Sequence, residues 1–188
     1  MLKHSWVDKH ESVRIMPRFP GDAYVRSFRA ADQPAARRLY REGLLAGEVD
    51  PNDAAADMED IAVAYLRRPQ DHFWVADAGM RVVGTVALTI DERQVGHLCR
   101  LRVAPGWQDS DYIASLLVEA ATAHAREHAC LMLVLHTRMD DNRAVALLHR
   151  LGFQFSRSRD VRGRHLLEFY LNLYYAPRQA VEGRHPLA

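Results

Sequence analysis

A chain of 188 residues with 48% hydrophobic and 26% charged side chains has room for one globular domain with a sizeable core. Its 25 basic and 24 acidic residues leave a formal charge of +1, which argues against a nucleic-acid or membrane-surface partner. No apolar run approaches the roughly 20 residues that a membrane span needs, and the first twenty residues scatter their charges instead of framing an apolar leader.

In chain order, residues 1–23 read as an irregular arm ending in the turn signal RFPGD. Residues 23–30, AYVRSFRA, alternate as a strand does. A helix follows, with Asp32 as its expected N-cap, Pro34 in its first turn and Leu39, Leu44 and Leu45 as apolar positions. NDAAADMEDIAVAYLRRP predicts a second helix ending before Pro69. HFWVADA (72–78), MRVVGTVALTI (80–90) and VGHLCRLRV (95–103) then predict three strands joined by short turns as a meander. Residues 111–129 carry Ile113, Leu116, Leu117, Ala120 and Ala121 at helical spacing. LMLVLHTRM (131–139) reads as a buried strand, and DNRAVALLHRLG as a helix closed by Gly152. FQFSRSRDV and RHLLEFYLNLYY read as two last strands, and residues 176–188 as a tail. Cys99 and Cys130 lie inside apolar runs, which suits buried thiols in a reducing, cytoplasmic setting. The expected fold class is α/β: a mixed, mostly antiparallel central sheet flanked by helices, in one domain over residues 24–175.

Three stretches resemble the GNAT acetyltransferases. VVGTVAL is similar to a central strand of that family, with Gly84 at its frequent glycine. LRVAPGWQ is similar to the next strand, with Val103 and Pro105 spaced as in V-x-P. NRAVALLHRLGF is similar to the C-terminal helix, with Ala144, Gly152 and Phe153 in register and Asn142 within one residue of the family's usual asparagine. The resemblance implies the acyl-CoA N-acyltransferase fold, acetyl-CoA as acyl donor, and a small-molecule or peptide amine as acceptor, with homodimerisation left open.

By the same resemblance, residues 108–113 would hold the cofactor's phosphates. The family's loop reads Q/R-x-x-G-x-G/A. Here Gln108 takes the first position, Asp111 and Ile113 take the two glycine positions, and Asp109, Ser110 and Tyr112 fill the rest. Backbone N–H groups at a helix N-terminus bind phosphate, so carboxylates at that spot compete with it. Asp109, Ser110 and Asp111 are also favoured N-cap types. Two readings therefore stand: an adapted acyl-CoA site, or a capped helix in a non-catalytic module of the same fold.

Leu101, Val103 and Asn142 would line the pantetheine arm, and a backbone N–H at Val103 or its neighbour would polarise the thioester carbonyl. The position of the family's tyrosine acid is Leu148, with His149 beside it. On the strand before V-x-P, His97 is the candidate base, sharing a face with Cys99 and Leu101; His136 is a second candidate. Glu48, Asp50, Asp53, Asp57, Glu59 and Asp60 could form an acidic lip over the acceptor groove, or a solvated, capped surface. His124 and His128 bracket Glu127 in HAREH, which fits an exposed helix face.

Overall fold

The computed structural model describes residues 23–42, 55–79, 81–107, 109–139, 141–161 and 164–174. The expected arm and tail, the far end of the first helix, Glu48, Asp50, Asp53 and Gln108 lie outside the described residues. Seven strands form one sheet: β1 (Tyr24–Ser27), β2 (His72–Asp77), β3 (Val82–Ile90), β4 (Val95–Val103), β5 (Met132–Arg138), β6 (Gln154–Val161) and β7 (Arg164–Asn172). Their spatial order is β1-β2-β3-β4-β5-β7-β6. All neighbours are antiparallel except β4 and β5, which run parallel. The helices are α1 (Gln33–Glu42), α2 (Ala56–Glu59), α3 (Ile61–Tyr65), α4 (Ser110–Glu127) and α5 (Asn142–Arg150). The mixed sheet flanked by helices is the architecture expected from the sequence.

Alternation along the strands sorts the side chains onto two faces. Gly84 turns toward α4, and a Cβ there would lie 2.9 Å from Ile113 Cγ2 and from Leu117 Cδ1. Glycine is thus required by the closeness of the helix to the sheet, not by backbone conformation. The paired strands place Trp74, Val86 and Leu88 on the same face. Phe73, Ala87 and Thr85 point the other way, where Tyr65 of α3 meets the Phe73 ring at 5.5 Å. α5 shares the α4 face, since its His149 meets Phe169 of β7 edge-on at 5.4 Å.

Two local expectations change. The second predicted helix is two short ones, because Asp60 leaves helical geometry (φ −142°, ψ 87°) and caps α3, its carboxylate accepting from Val63 N–H at 3.0 Å. Asp32 is not an N-cap. It ends a 3-10 turn (Ala30–Asp32), accepts from Arg29 N–H at 2.8 Å, and is buried against Arg26 at 2.6 Å. Arg26 also reaches Asp77, so one guanidinium ties β1, the turn and β2 together.

Candidate active site

The parallel ladder between β4 and β5 is short. Val95 to Leu98 pair with Met132 to Leu135, and beyond that point the two strands part. The cause lies in β4. Its register against β3 slips between Thr85 and Ala87, and Arg100 adopts φ +55°, a left-handed conformation that a non-glycine residue adopts at a cost. The bulge is pinned from two sides. The Thr85 hydroxyl donates to Arg100 C=O at 2.9 Å, and the Arg100 guanidinium clasps Asp57 of α2 through Nε at 2.8 Å and Nη2 at 2.7 Å. The Tyr65 hydroxyl donates to the same carboxylate and lies 3.6 Å from Cys99 Sγ. Burial and the Cys99 contact push the Tyr65 phenol upward, and burial pushes the Cys99 thiol upward, so both stay protonated near neutral pH.

The parting leaves a narrow cleft between the two strands. Toward α4 and α5 it is apolar, walled by Leu98, Leu101 and Leu135 and floored by Ala144, Leu147 and Leu148. Toward α1–α3 it meets Cys99, Arg100 and His136. The slot therefore joins two chemically different faces of one sheet. Thr137, 6% exposed, lines it with a hydroxyl oxygen that has no hydrogen-bond partner among the described residues.

At the end of β4 the chain turns through Gly106, whose φ of +76° suits glycine, and enters α4. Asp109 occupies the N-cap position but its side chain makes no capping hydrogen bond. The Ser110 hydroxyl accepts from Arg143 of α5, and Asp111 pairs with Arg150 and, at 3.6 Å, with Arg143. Two of the side chains that look like caps in the sequence, Ser110 and Asp111, are thus turned to two arginines of the next helix. Backbone N–H groups of Ser110, Asp111 and Tyr112 have no intrahelical acceptor, as at any helix start. Ile113 N–H is bonded to Asp109 C=O at 3.0 Å, and its side chain is 1% exposed in the core. Asp141 caps α5 through Ala144 N–H at 2.9 Å, which leaves the exposed Asn142 in the helix's first turn.

In sequence and in fold the chain is similar to known proteins. A family model described as the acetyltransferase (GNAT) family matches residues 34–153. The chain belongs to the GNAT acetyltransferase family. N-acetyltransferase 8 of Rattus norvegicus is 36% identical to this chain over 103 residues, 52% of this chain and 46% of that protein. The Homo sapiens N-acetyltransferase 8 is 33% identical over the same length, 52% and 45%. The chain spans about half the length of the curated relatives it matches. In fold it resembles a GNAT-family acetyltransferase from Staphylococcus aureus Mu50 (TM-score 0.69, 16% identity, covering 81% of this chain and 99% of that one). It also resembles Salmonella typhimurium yncA with its cofactor acetyl-CoA (TM-score 0.67, 19% identity, 85% and 99% covered).

Within this GNAT domain the expected site residues fall in three places. Leu101 lines the slot, while Val103 is wholly buried just past it; Asp109, Ser110, Asp111 and the exposed Tyr112 surround the start of α4. His97 lies on the α1–α3 face but over the paired stretch, opposite Val134, and bonds Asp91 at 3.2 Å. Leu148, at the position of the family's tyrosine, is buried in the slot floor. Of the acidic lip, Asp57 binds Arg100, Glu59 pairs with Arg37 at 2.7 Å, and Asp60 caps α3. His124 is half-buried, contrary to an exposed face: it bonds Gln70 C=O at 3.1 Å and stacks among His72, Trp74 and His128. No helix among the described residues is long and apolar enough to cross a membrane. Sequence reading missed Arg100, Arg143, Arg150 and Glu168. The basic side chains of α5 on one helical stripe, seven positions apart, were the available signal for the middle two.

Proposed function

We propose that the protein transfers an acyl group from acetyl-CoA to an amine by direct attack. The observation that carries the reading is the slot opened by the β4 bulge, because it connects an apolar channel on the α4/α5 face to a polar surface on the α1–α3 face. A thioester entering from one side can then meet an amine entering from the other, held in attack geometry without a covalent enzyme intermediate. The relatives named N-acetyltransferase and the neighbour with acetyl-CoA support this donor and reaction class.

In this reading the pantetheine arm lies along the apolar walls at Leu98 and Leu101, with Asn142 near its outer end. The phosphates sit at the start of α4, where N–H groups of Ser110, Asp111 and Tyr112 meet the guanidinium groups of Arg143 and Arg150. The two arginines offset the charge of Asp111, which answers how a phosphate site can tolerate a carboxylate. An N–H of β4 past the bulge, at Val103 or its neighbour, would stabilise the developing oxyanion. His97 shares the amine face but lies over paired strands, outside the residues that line the slot. The missing loop glycines and the buried Leu148 favour one rival, a non-catalytic binding module of the same fold.

Calorimetric titration with acetyl-CoA, and separately with CoA, separates the two. Micromolar binding, followed by thiol release with an amine panel, is the expected result. Absence of binding at millimolar ligand would turn the assignment to the module.

A further inference from the structure

On the α1–α3 face, directly past the last β4–β5 pair, β5 and β7 set His136 opposite Glu168 as a cross-strand pair. His136 Nε2 lies 3.2 Å from Glu168 Oε2, and His136 lines the slot where His97 does not. Glu168 is only 8% exposed. It accepts from Ser156 Oγ at 3.1 Å and from Arg157 at 2.9 Å and 3.1 Å, with Arg159 at 3.9 Å. Burial raises the Glu168 carboxyl, but the hydrogen bonds from Arg157, Ser156 and His136 outweigh burial and hold it below the usual carboxylate range. A carboxylate accepts only, so Nε2 carries the hydrogen. Nδ1 is then the ring's lone-pair nitrogen, and it has no hydrogen-bond partner among the described residues.

We infer that His136 is the proton acceptor for the incoming amine and that Glu168 is its positioning residue, an inference that rests on the acyl-transfer reading above. The acceptor arrives as an ammonium and gives one proton to His136 Nδ1. The neutral nitrogen attacks the thioester carbon, forming the C–N bond, and the C–S bond breaks. The nitrogen's second proton goes to the departing thiolate, and His136 returns the first to solvent. Around this imidazole stand Glu168 of β7, whose carboxylate is also held by Arg157 and Arg159 of β6, and, lining the same slot, Cys99 and Arg100 of β4, the latter bound to Asp57 of α2; Arg138 lies two residues further along β5. A sequence reading ranks the two histidines by strand position; the pairing with a carboxylate 32 residues away, which orients one ring nitrogen, is visible only in the fold.

The test compares wild type, His136→Gln, His136→Ala and Glu168→Gln, using glycine, spermidine and a peptide with a free amino terminus as amine probes. Thiol release from acetyl-CoA should fall by about 100-fold or more in His136→Gln, with acetyl-CoA binding unchanged by calorimetry. The acid limb of the kcat/KM profile should vanish with it, and added imidazole should restore part of the rate of His136→Ala. Glu168→Gln should lose roughly 10-fold and shift that limb. Nitrogen-15 spectra of the histidine side chains should show the Nε2–H tautomer at His136, whichever amine is the natural acceptor. Wild-type rates in His136→Gln, an Nδ1–H tautomer, or a loss of turnover that follows a loss of acetyl-CoA binding would each overturn the assignment. Failure of the wild type itself to bind acetyl-CoA overturns the acyl-transfer reading instead, while the tautomer result still decides the dyad.

Discussion

Replacing Asp111 by asparagine should tighten CoA binding. Asp111 stands in the first turn of α4, where the cofactor's phosphates are proposed to sit, and its side chain is 47% exposed. At such a half-exposed site an effective dielectric of roughly 40 to 80 applies. A carboxylate about 4 to 5 Å from one phosphate charge then costs on the order of 1 to 2 kcal/mol. Asparagine keeps the shape, removes that repulsion and releases Arg143 and Arg150 to face the ligand. The dissociation constant of CoA should fall by about 5- to 30-fold. The lost surface ion pairs should cost less than about 1 kcal/mol of stability. Calorimetric titration of wild type and Asp111→Asn at low and high salt reads both parts, because screening should shrink the difference. Arg150→Ala, as the counterpart, should weaken binding. Unchanged affinity in Asp111→Asn would refute the placement of phosphate at this helix start. Weaker affinity would show instead that Asp111 holds the arginines where the ligand needs them.

Ile113→Ala should cost about 2 to 4 kcal/mol, read as a lower midpoint in urea, since this wholly buried side chain fills the space above Gly84. Gly84→Ala should destabilise by roughly 1 to 3 kcal/mol, because the new methyl meets Ile113, Leu117 and, at 3.2 Å, Arg102 C=O. Asp57→Asn should loosen the bulge and lower turnover more than it lowers acetyl-CoA affinity, since Arg100 loses its charged partner on the amine side. His72 is driven down to about 4 by burial and by the neighbouring His124 and His128. The unfolded chain binds that proton at an ordinary, higher pH, so protonation favours unfolding. Stability should therefore fall as pH drops from about 6.5 toward 4, and His72→Gln should flatten this dependence in pH-resolved thermal melts.

Strand β4 was legible almost to the residue, because VGHLCRLRV is apolar and bounded by turn signals on both sides. The V-x-P at its end and the helix after it were legible for the same local reason. The bulge at Arg100 was not. Nothing in HLCRLRV marks which residue will take a left-handed φ, because that choice is made by Thr85 on the neighbouring strand and Asp57 on a distant helix. The break at Asp60 was hidden inside a run of good helix formers, and only its capping of Val63 N–H reveals it. The carboxylates at the start of α4 were seen but read without their partners. Whether Asp111 opposes a ligand or answers an arginine depends on α5, which packs beside it from 39 positions away.

Local spacing of apolar residues and short motifs were enough for the α/β class, most of its elements and the resemblance to one family. Where β4 and β5 part, which face of the sheet each polar group occupies and which charges meet follow only from the assembled fold. Those are properties of register and packing between segments far apart in the chain. A side chain's protonation partner and a cleft's opening exist only once those segments are brought together.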